Sequence, residues 1–266
     1  MLVKEIEIPY KGSQEIRIYC IGDEHGGTIH HTDTELLKTI DKVKSDKNAY
    51  WIGMGDKAEF ITPSDKRCDG GGVADWVHPD NIGVDQSNWY CDLMSPIKSR
   101  CIGLLEGNHE VSIKHMAHID VQKNICEGLN VDNLSYSAFV KFKFVRPGSN
   151  SYISKTGFFT HGSGCAITAG AKLQRLQRLM DSFDVDIVAQ GHVHDLVSYS
   201  KPYLTLINGH VKQKVRVGAM TGCYFRTYTQ GDSSSYGEQK NYPPVMIGSP
   251  LFIVNPMTGE LKVESR

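Results

Sequence analysis

The sequence predicts a two-sheet α/β sandwich with helices outside. Two observations carry that reading. Through the first two-thirds of the chain, hydrophobic runs of strand length alternate with stretches of helical periodicity. After residue 195 the pattern changes to short alternating strands. A chain of 266 residues with 40% hydrophobic and 22% charged side chains can bury a full core, so a single domain over 1–266 is expected.

The elements follow in order. A strand near 16–22 leads to a helix near 33–45, with Thr32 or Asp33 as its N-cap. A strand near 49–54 precedes a stretch at about 61–85 with Pro63, Pro79, three successive glycines and few aliphatics. It reads as a loop insertion, a length usually associated with function or mobility. A helix near 86–98, a strand at 100–105 and a helix from about 110 to 128 come next. Strands near 136–145 and 152–160 flank Pro147-Gly148-Ser149-Asn150 and form a hairpin. A helix near 168–182 leads to a strand at 186–190. The remaining strands are expected at 196–200, 203–208, 211–217 and 222–229, with a last pair around Asn255–Gly259. There is no internal repeat.

Bulk properties exclude several classes. The formal net charge is −1, which gives no push toward nucleic acid or an anionic membrane. No apolar run approaches the roughly 20 residues that a membrane helix needs, and the start has no signal-peptide core. Seven cysteines without a Cys-x-x-Cys pair are expected to be reduced, in a cytoplasmic protein.

Five segments end in metal-binding side chains: Asp23-Glu24-His25, Gly55-Asp56, Gly107-Asn108-His109-Glu110, His161-Gly162 and Gly191-His192-Val193-His194. Each stands where a hydrophobic run stops, so each is delivered to the carboxyl edge of a sheet, where α/β folds build their sites. Carboxylate, imidazole and amide oxygen together suit Mn²⁺, Fe²⁺ or Zn²⁺. In an extended segment residues i and i+2 point the same way. Asp23 and His25 are therefore expected to converge, as are His192 and His194.

In these segments, reading DEH, GDKAE, GNHE, HG and GHVH, the chain resembles the calcineurin-like metallophosphoesterases, whose pattern is DxH, GDxx(D/N), GNH(D/E), H and GHxH. Tyr236–Tyr242 adds a likeness to a phage or bacterial subgroup. The resemblance implies a four-layer αββα sandwich of two mixed sheets. It also implies two divalent ions: Mn²⁺ first, with Fe, Zn, Ni or Mg as alternatives. Asp23, His25 and His194 would hold one; Asn108, His161 and His192 the other; Asp56 would bridge them. A hydroxide between the ions would attack phosphorus, His109 would serve the leaving group, and the Glu59 carboxylate would pair with His109.

Two departures matter. Arginines that flank the second and third motifs in the protein-phosphatase branch are Phe60 and Glu106 here, and Glu106 would repel a dianion if it faced the site. Glu59 is one methylene longer than the usual Asp or Asn. The expected activity is thus a phosphodiesterase or nuclease. The alternatives are a phosphomonoesterase acting on a nucleotide or small molecule, with Lys57, Lys66, Arg67 or Arg226 supplying the missing charge, and a non-catalytic metal-binding scaffold. The expected partner is a phosphoester substrate, nucleic acid or nucleotide among the candidates, with no membrane. Two basic stripes, Lys172-Arg175-Arg178 and Lys212-Lys214-Arg216, suit either a polyanion or plain solvent. Trp76, Trp89 and Tyr90 suit base stacking or a small cluster under the loop. Cys165 reads as a packing residue or a thiol at the pocket rim. His30 and His31 read as exposed, and His115 and His118, three apart on a helix, as a weak ion site.

Overall fold

A computed structural model describes residues 1–266 apart from positions 64, 66, 67, 69–71, 165 and 266. In chain order the elements are β1 (Leu2–Pro9), β2 (Ile16–Ile21), α1 (Asp33–Ser45), β3 (Ala49–Gly53), α2 (Ile82–Met94), β4 (Cys101–Leu104), α3 (Asn108–Ala117), α4 (Val121–Leu129), β5 (Ser137–Val145), β6 (Tyr152–Thr160), α5 (Ala169–Ser182), β7 (Ile187–Gln190), β8 (Leu196–Ile207), β9 (His210–Thr221), α6 (Tyr236–Gln239), β10 (Pro250–Val254) and β11 (Leu261–Ser265). They form a six-stranded sheet, β1-β5-β6-β7-β9-β8, and a five-stranded sheet, β11-β10-β2-β3-β4. Both are mixed: β2-β3-β4 and β6-β7-β9 run parallel, while β10 and β8 join their neighbours antiparallel.

The two-residue period of each central strand sets the layers. In β2, Ile16, Ile18 and Cys20 point between the sheets, where Ile52, Phe142, Phe159, Ala189 and Phe252 meet them. Tyr19 and Ile21 point the other way, to a cluster with Leu36 and Ile40 of α1, Tyr90 of α2 and Ile125 of α4. On the far face of the six-stranded sheet, Val188 and Phe158 pack with Leu176 and Met180 of α5. The order of layers is therefore helix, sheet, sheet, helix. Among the described residues no helix is long and apolar enough to cross a membrane.

Several boundaries differ from expectation. β1 went unforeseen because charges alternate with its aliphatics; it pairs in parallel with β5 along its whole length. The strands expected at 196–200 and 203–208 are one edge strand, β8, which runs through Pro202, and an edge tolerates a residue without an N–H. The strand expected at 222–229 is irregular, and β9 ends at Thr221. The helix expected at 110–128 is two, α3 and α4, parted at His118, whose φ is 57°. The predicted insertion stays irregular through Asn81 among the described residues, and α2 begins at Ile82.

Candidate active site

The five motifs meet at one edge of the sandwich, beyond the carboxyl ends of β2, β3, β4, β6 and β7. The backbone there is not extended, contrary to expectation. Asp23 (φ 51°), His25 (φ 49°), Asp56 (φ 53°), His192 (φ 71°) and His194 (φ 48°) are all left-handed. Such geometry costs free energy in residues with a Cβ and gathers at functional sites. In Asp23-Glu24-His25 it still sends alternate side chains together and turns Glu24 inward. Asn108 and His109 open α3.

The side chains form two adjoining clusters, and a third group, His25 with Glu59 and His109, shares His25 with the first. In the first, Asp23, His25 and His194 bring one ligand atom each within 4.8 Å of the others. His25 Nε2 faces His194 Nε2 at 2.8 Å, and His194 Nε2 lies 3.4 Å from Asp23 Oδ1. The second gathers Asp56, His161 and His192 in the same way. Asn108 Oδ1 joins it, 3.1 Å from His161 Nε2 and 2.6 Å from His192 Nδ1. His161 Nε2 is 3.2 Å from Asp56 Oδ2.

The supporting contacts decide which ring nitrogen is free. His161 Nδ1 lies 2.9 Å from the carbonyl of Met54, so its N–H donates there, and once the ring is neutral Nε2 is the nitrogen with a lone pair for the cluster. His25 Nδ1 is 3.0 Å from Glu59 Oε1, which leaves its Nε2 in the same position. Asp23 accepts the N–H of His192 at 3.0 Å, and Asp56 Oδ1 accepts the N–H of His109 at 2.9 Å. Each cluster thus offers inward-facing imidazole nitrogen and carboxylate oxygen, a donor set that fits a divalent borderline or hard cation.

Charges follow this geometry. Burial opposes ionisation of Glu59, but the imidazoles of His25 and His109 outweigh it and hold the carboxyl at about 2. Burial works against a charged His25, yet Glu59, Asp56 and Asp23 raise it to about 9. His161 rises to about 9 against the same penalty, through Asp56 and Asp23. Burial lowers His192, and the neighbouring His161 adds to the effect. Asp56 is held well below its ordinary value by His161 and His109 despite its burial. Glu24 is pushed up to about 8 by burial, and neither of its carboxyl oxygens has a hydrogen-bond partner.

His109 and Glu59 are brought together, but not as expected. His109 Nδ1 contacts the backbone carbonyl of Glu59 at 2.5 Å, while the Glu59 carboxylate is 3.7 Å away and nearer His25. Phe60 and Glu106 do not face the cavity. Phe60 is buried and donates its N–H to Gln86 Oε1, and Glu106 lies outside the cavity's lining residues. The proposed repulsion of a dianion by Glu106 is therefore withdrawn. Lys57 does not reach the cavity: its ammonium is buried on the carbonyl of Leu105 and on Gln122 Oε1, both at 2.7 Å. Arg226 is exposed and off the lining; Lys66, Arg67 and Cys165 lie outside the described residues.

Sequence reasoning gave no role to Glu110. Its carboxylate accepts the N–H groups of Gly107 at 2.7 Å, Lys57 at 2.8 Å and Asp56 at 3.0 Å, and so ties the second and third motifs together. The approach is close enough that a Cβ on Gly107 would meet Asp56 Oδ1 at 2.1 Å. Lys172 belongs to a stripe expected to meet either a polyanion or plain solvent. Instead it shares the buried face of α5 with Leu176 and Met180, lines the cavity and pairs with Asp195 at 3.0 Å. Trp76 and Trp89 stack on each other at 5.8 Å away from the cavity, and Tyr90 is fully buried. They make a hydrophobic cluster, not a base-stacking platform. His30, expected to be exposed, is buried, whereas His115 and His118 are exposed.

A cavity of about 480 Å³ opens above the clusters. His25, Asp56, Asn108, His109, His192 and His194 form its floor. Its wall is apolar and aromatic, made largely by the segment between β9 and β10 with Phe225, Tyr236, Tyr242, Pro243 and Val245. The wall is anchored: Tyr224 bonds Thr39 and Ser249, Ser235 donates to the carbonyl of Thr227 at 2.6 Å, and Tyr228 donates to that of Tyr242 at 2.8 Å.

No family model matches the sequence, and no curated protein matches it. Among solved structures, the chain is similar to a metallophosphoesterase from Sphaerobacter thermophilus, at 13% identity and a TM-score of 0.40 over 94% of this chain and 90% of that one. It is also similar to Vps29 complexed with zinc from Entamoeba histolytica, at 12% identity and a TM-score of 0.37 over 94% and 98%. A third is a predicted phosphoesterase from Streptococcus pneumoniae, at 13% identity and a TM-score of 0.34 over 96% and 100%. In the order and spacing of its five motifs the chain resembles the calcineurin-like metallophosphoesterases.

Proposed function

We propose that the protein is a metal-dependent phosphoester hydrolase that prefers diesters. One observation carries this reading. Carboxylate, imidazole and amide donors gather in two adjoining clusters, and His25, Asp56, Asn108, His192 and His194 of these share a cavity floor with His109, whose ring joins His25 and Glu59 in a third group. Asp23, His25 and His194 would hold one divalent ion; Asn108, His161 and His192 the other; and Asp56, 3.2 Å from His161 Nε2, would bridge them. Two such ions supply an activated water and a positive clamp on the phosphoryl oxygens.

The remaining work falls to the chain. His109 Nδ1 contacts the Glu59 carbonyl, which fixes the ring, and its imidazolium would give a proton to the departing oxygen. The Glu59 carboxylate orients His25 and adds negative charge beside both imidazoles. Diester preference is supported by the lining. Lys172 is the only lysine or arginine among the described cavity residues, and Asp195 offsets its charge. A monoester dianion is normally met by arginines; a diester monoanion makes smaller demands.

The test is a substrate panel with Mn²⁺-loaded protein: bis-p-nitrophenyl phosphate against p-nitrophenyl phosphate, each with and without EDTA. The expected result is kcat/KM for the diester equal to or above that for the monoester, with both activities abolished by EDTA. A clear monoester preference promotes the phosphomonoesterase reading. Two bound metals without turnover of either ester promote the scaffold.

A further inference from the structure

We infer that the aromatic wall of the cavity is a seat for a nucleobase, so that the ester hydrolysed is of single-nucleotide size. This rests on the phosphoester reading of the floor. Three observations lead to it. First, Phe225 stands beside the Asp23-His25-His194 cluster: its ring centroid is 5.5 Å from that of His25 and 6.0 Å from that of His194. Tyr236 and Tyr242 continue the same wall, 6.3 Å apart edge to face, and Tyr236 is 54% exposed despite its place in a well-anchored segment. Exposed rings held beside a phosphoryl site offer a planar ligand a stacking face.

Second, a smaller cavity of about 80 Å³ adjoins the first, sharing Glu59, Ile61, Phe225 and Tyr236 with it. His30 lines it, 4% exposed, with neither ring nitrogen hydrogen-bonded. Its ring lies against the far side of Phe225, at 5.6 Å. A buried imidazole without partners is costly unless a ligand or water satisfies it. Beside an aromatic wall it suits the donor and acceptor edge of a base rather than a plain hydrocarbon ring.

Third, the charge is wrong for a polymer. Binding a nucleic-acid backbone takes several cations along its track, and here the single described lysine of the lining is already paired. The volume, about 480 Å³, is in the range of small-ligand sites.

The experiment is calorimetric titration of the Mn²⁺-loaded protein with adenosine 5′-monophosphate and with ribose 5-phosphate, which share phosphate and sugar and differ in the base. The nucleotide is expected to bind at least about tenfold more tightly, the scale of stacking on a protein ring. Tyr236→Ala should remove most of that advantage and leave ribose 5-phosphate unchanged, while Tyr236→Phe should restore it. His30→Ala should shrink the advantage about threefold or more, again with ribose 5-phosphate unchanged, as loss of one hydrogen-bond partner implies. Equal affinities for the two ligands in the wild type, or an advantage that survives Tyr236→Ala, overturn the nucleobase seat alone. Failure to bind either monoester while bis-p-nitrophenyl phosphate is still turned over overturns the seat alone; failure to bind together with absence of that turnover overturns the hydrolase reading beneath it as well.

Discussion

The floor and the wall of this cavity are built by opposite means. The floor is made of polar side chains on short turns at strand ends. His25, Asp56 and His109 are buried and Asn108, His192 and His194 half-buried; His25, Asp56, His192 and His194 are in left-handed backbone, and backbone N–H or carbonyl groups hold Asp23, Asp56, His109 and His161 from other parts of the chain. The wall is made of large side chains on one irregular segment, partly exposed and held by a few hydroxyl contacts. The difference teaches where tolerance lies. On the floor, changing one residue disturbs its partners, so chemistry and folding move together. On the wall, binding can be tuned while the fold stands.

The largest expected effect separates chemistry from metal. His109→Ala should lower kcat by roughly 10²–10⁴, the scale of general acid–base catalysis, with metal content by atomic absorption unchanged. The loss should be smaller for a p-nitrophenolate leaving group than for an alkoxide. Metal loss in this variant would place His109 among the ligands and blur the line between the two roles.

Next comes the floor's support. Glu110→Ala strands three backbone N–H groups and leaves buried Lys57 without its ion-pair partner at 3.4 Å. Breaking such a pair typically costs about 3–5 kcal/mol. Urea unfolding of the metal-free protein should show this, and a change below about 1 kcal/mol would mean that the motifs do not depend on Glu110 for their juncture.

The third effect is on metal uptake. With His25 and His161 raised to about 9 in the metal-free protein, both carry protons at neutral pH. A cation must displace those protons. Metal affinity should therefore climb between pH 6.5 and 9, by up to about tenfold per pH unit for each proton released. The stability that the two imidazolium groups lend the metal-free fold has the opposite trend: present in full below about 6.5, their unfolded value, and lost as the pH rises through about 9. Titrations with Mn²⁺ at several pH values check the first trend and urea melts of the metal-free protein the second. A flat affinity profile would show that neither ring is displaced of a proton.

The smallest effect belongs to the wall. Tyr228→Phe deletes one partly exposed hydrogen bond to the carbonyl of Tyr242. It should cost no more than about 1 kcal/mol on thermal unfolding and leave metal content untouched. A larger loss would show the wall to be as interlocked as the floor.

The same contrast explains what could be read in the sequence. The floor was legible because metal donors are few in kind and stand where hydrophobic runs end, so residue type and order name them. Their backbone was not legible. Nothing in Asp23-Glu24-His25 or His192-Val193-His194 announces left-handed geometry, which tertiary packing imposes on residues that do not favour it. Glu110 was hidden because a carboxylate that buttresses a turn looks like any other. The wall stayed obscure for a different reason: apolar side chains at Phe225 and Val245 read equally as core, and only the fold shows them facing a cavity. Likewise Pro202 suggests a break until β8 is seen to be an edge strand, and Lys172 looks solvated until its helix face is known.

Glu24 lets the floor be observed without any substrate. Between Asp23 and His25, with its carboxyl pushed up to about 8 by burial, it is mostly neutral at pH 7 in the metal-free protein. A protonated carboxyl has a carbonyl stretch well separated from that of carboxylates, so difference infrared spectroscopy, with Glu24→Gln as the blank, should resolve it as a single band. Cations arriving next door favour the ionised form. The band should then fade as metal binds beside Glu24, giving an optical signal of loading at that turn.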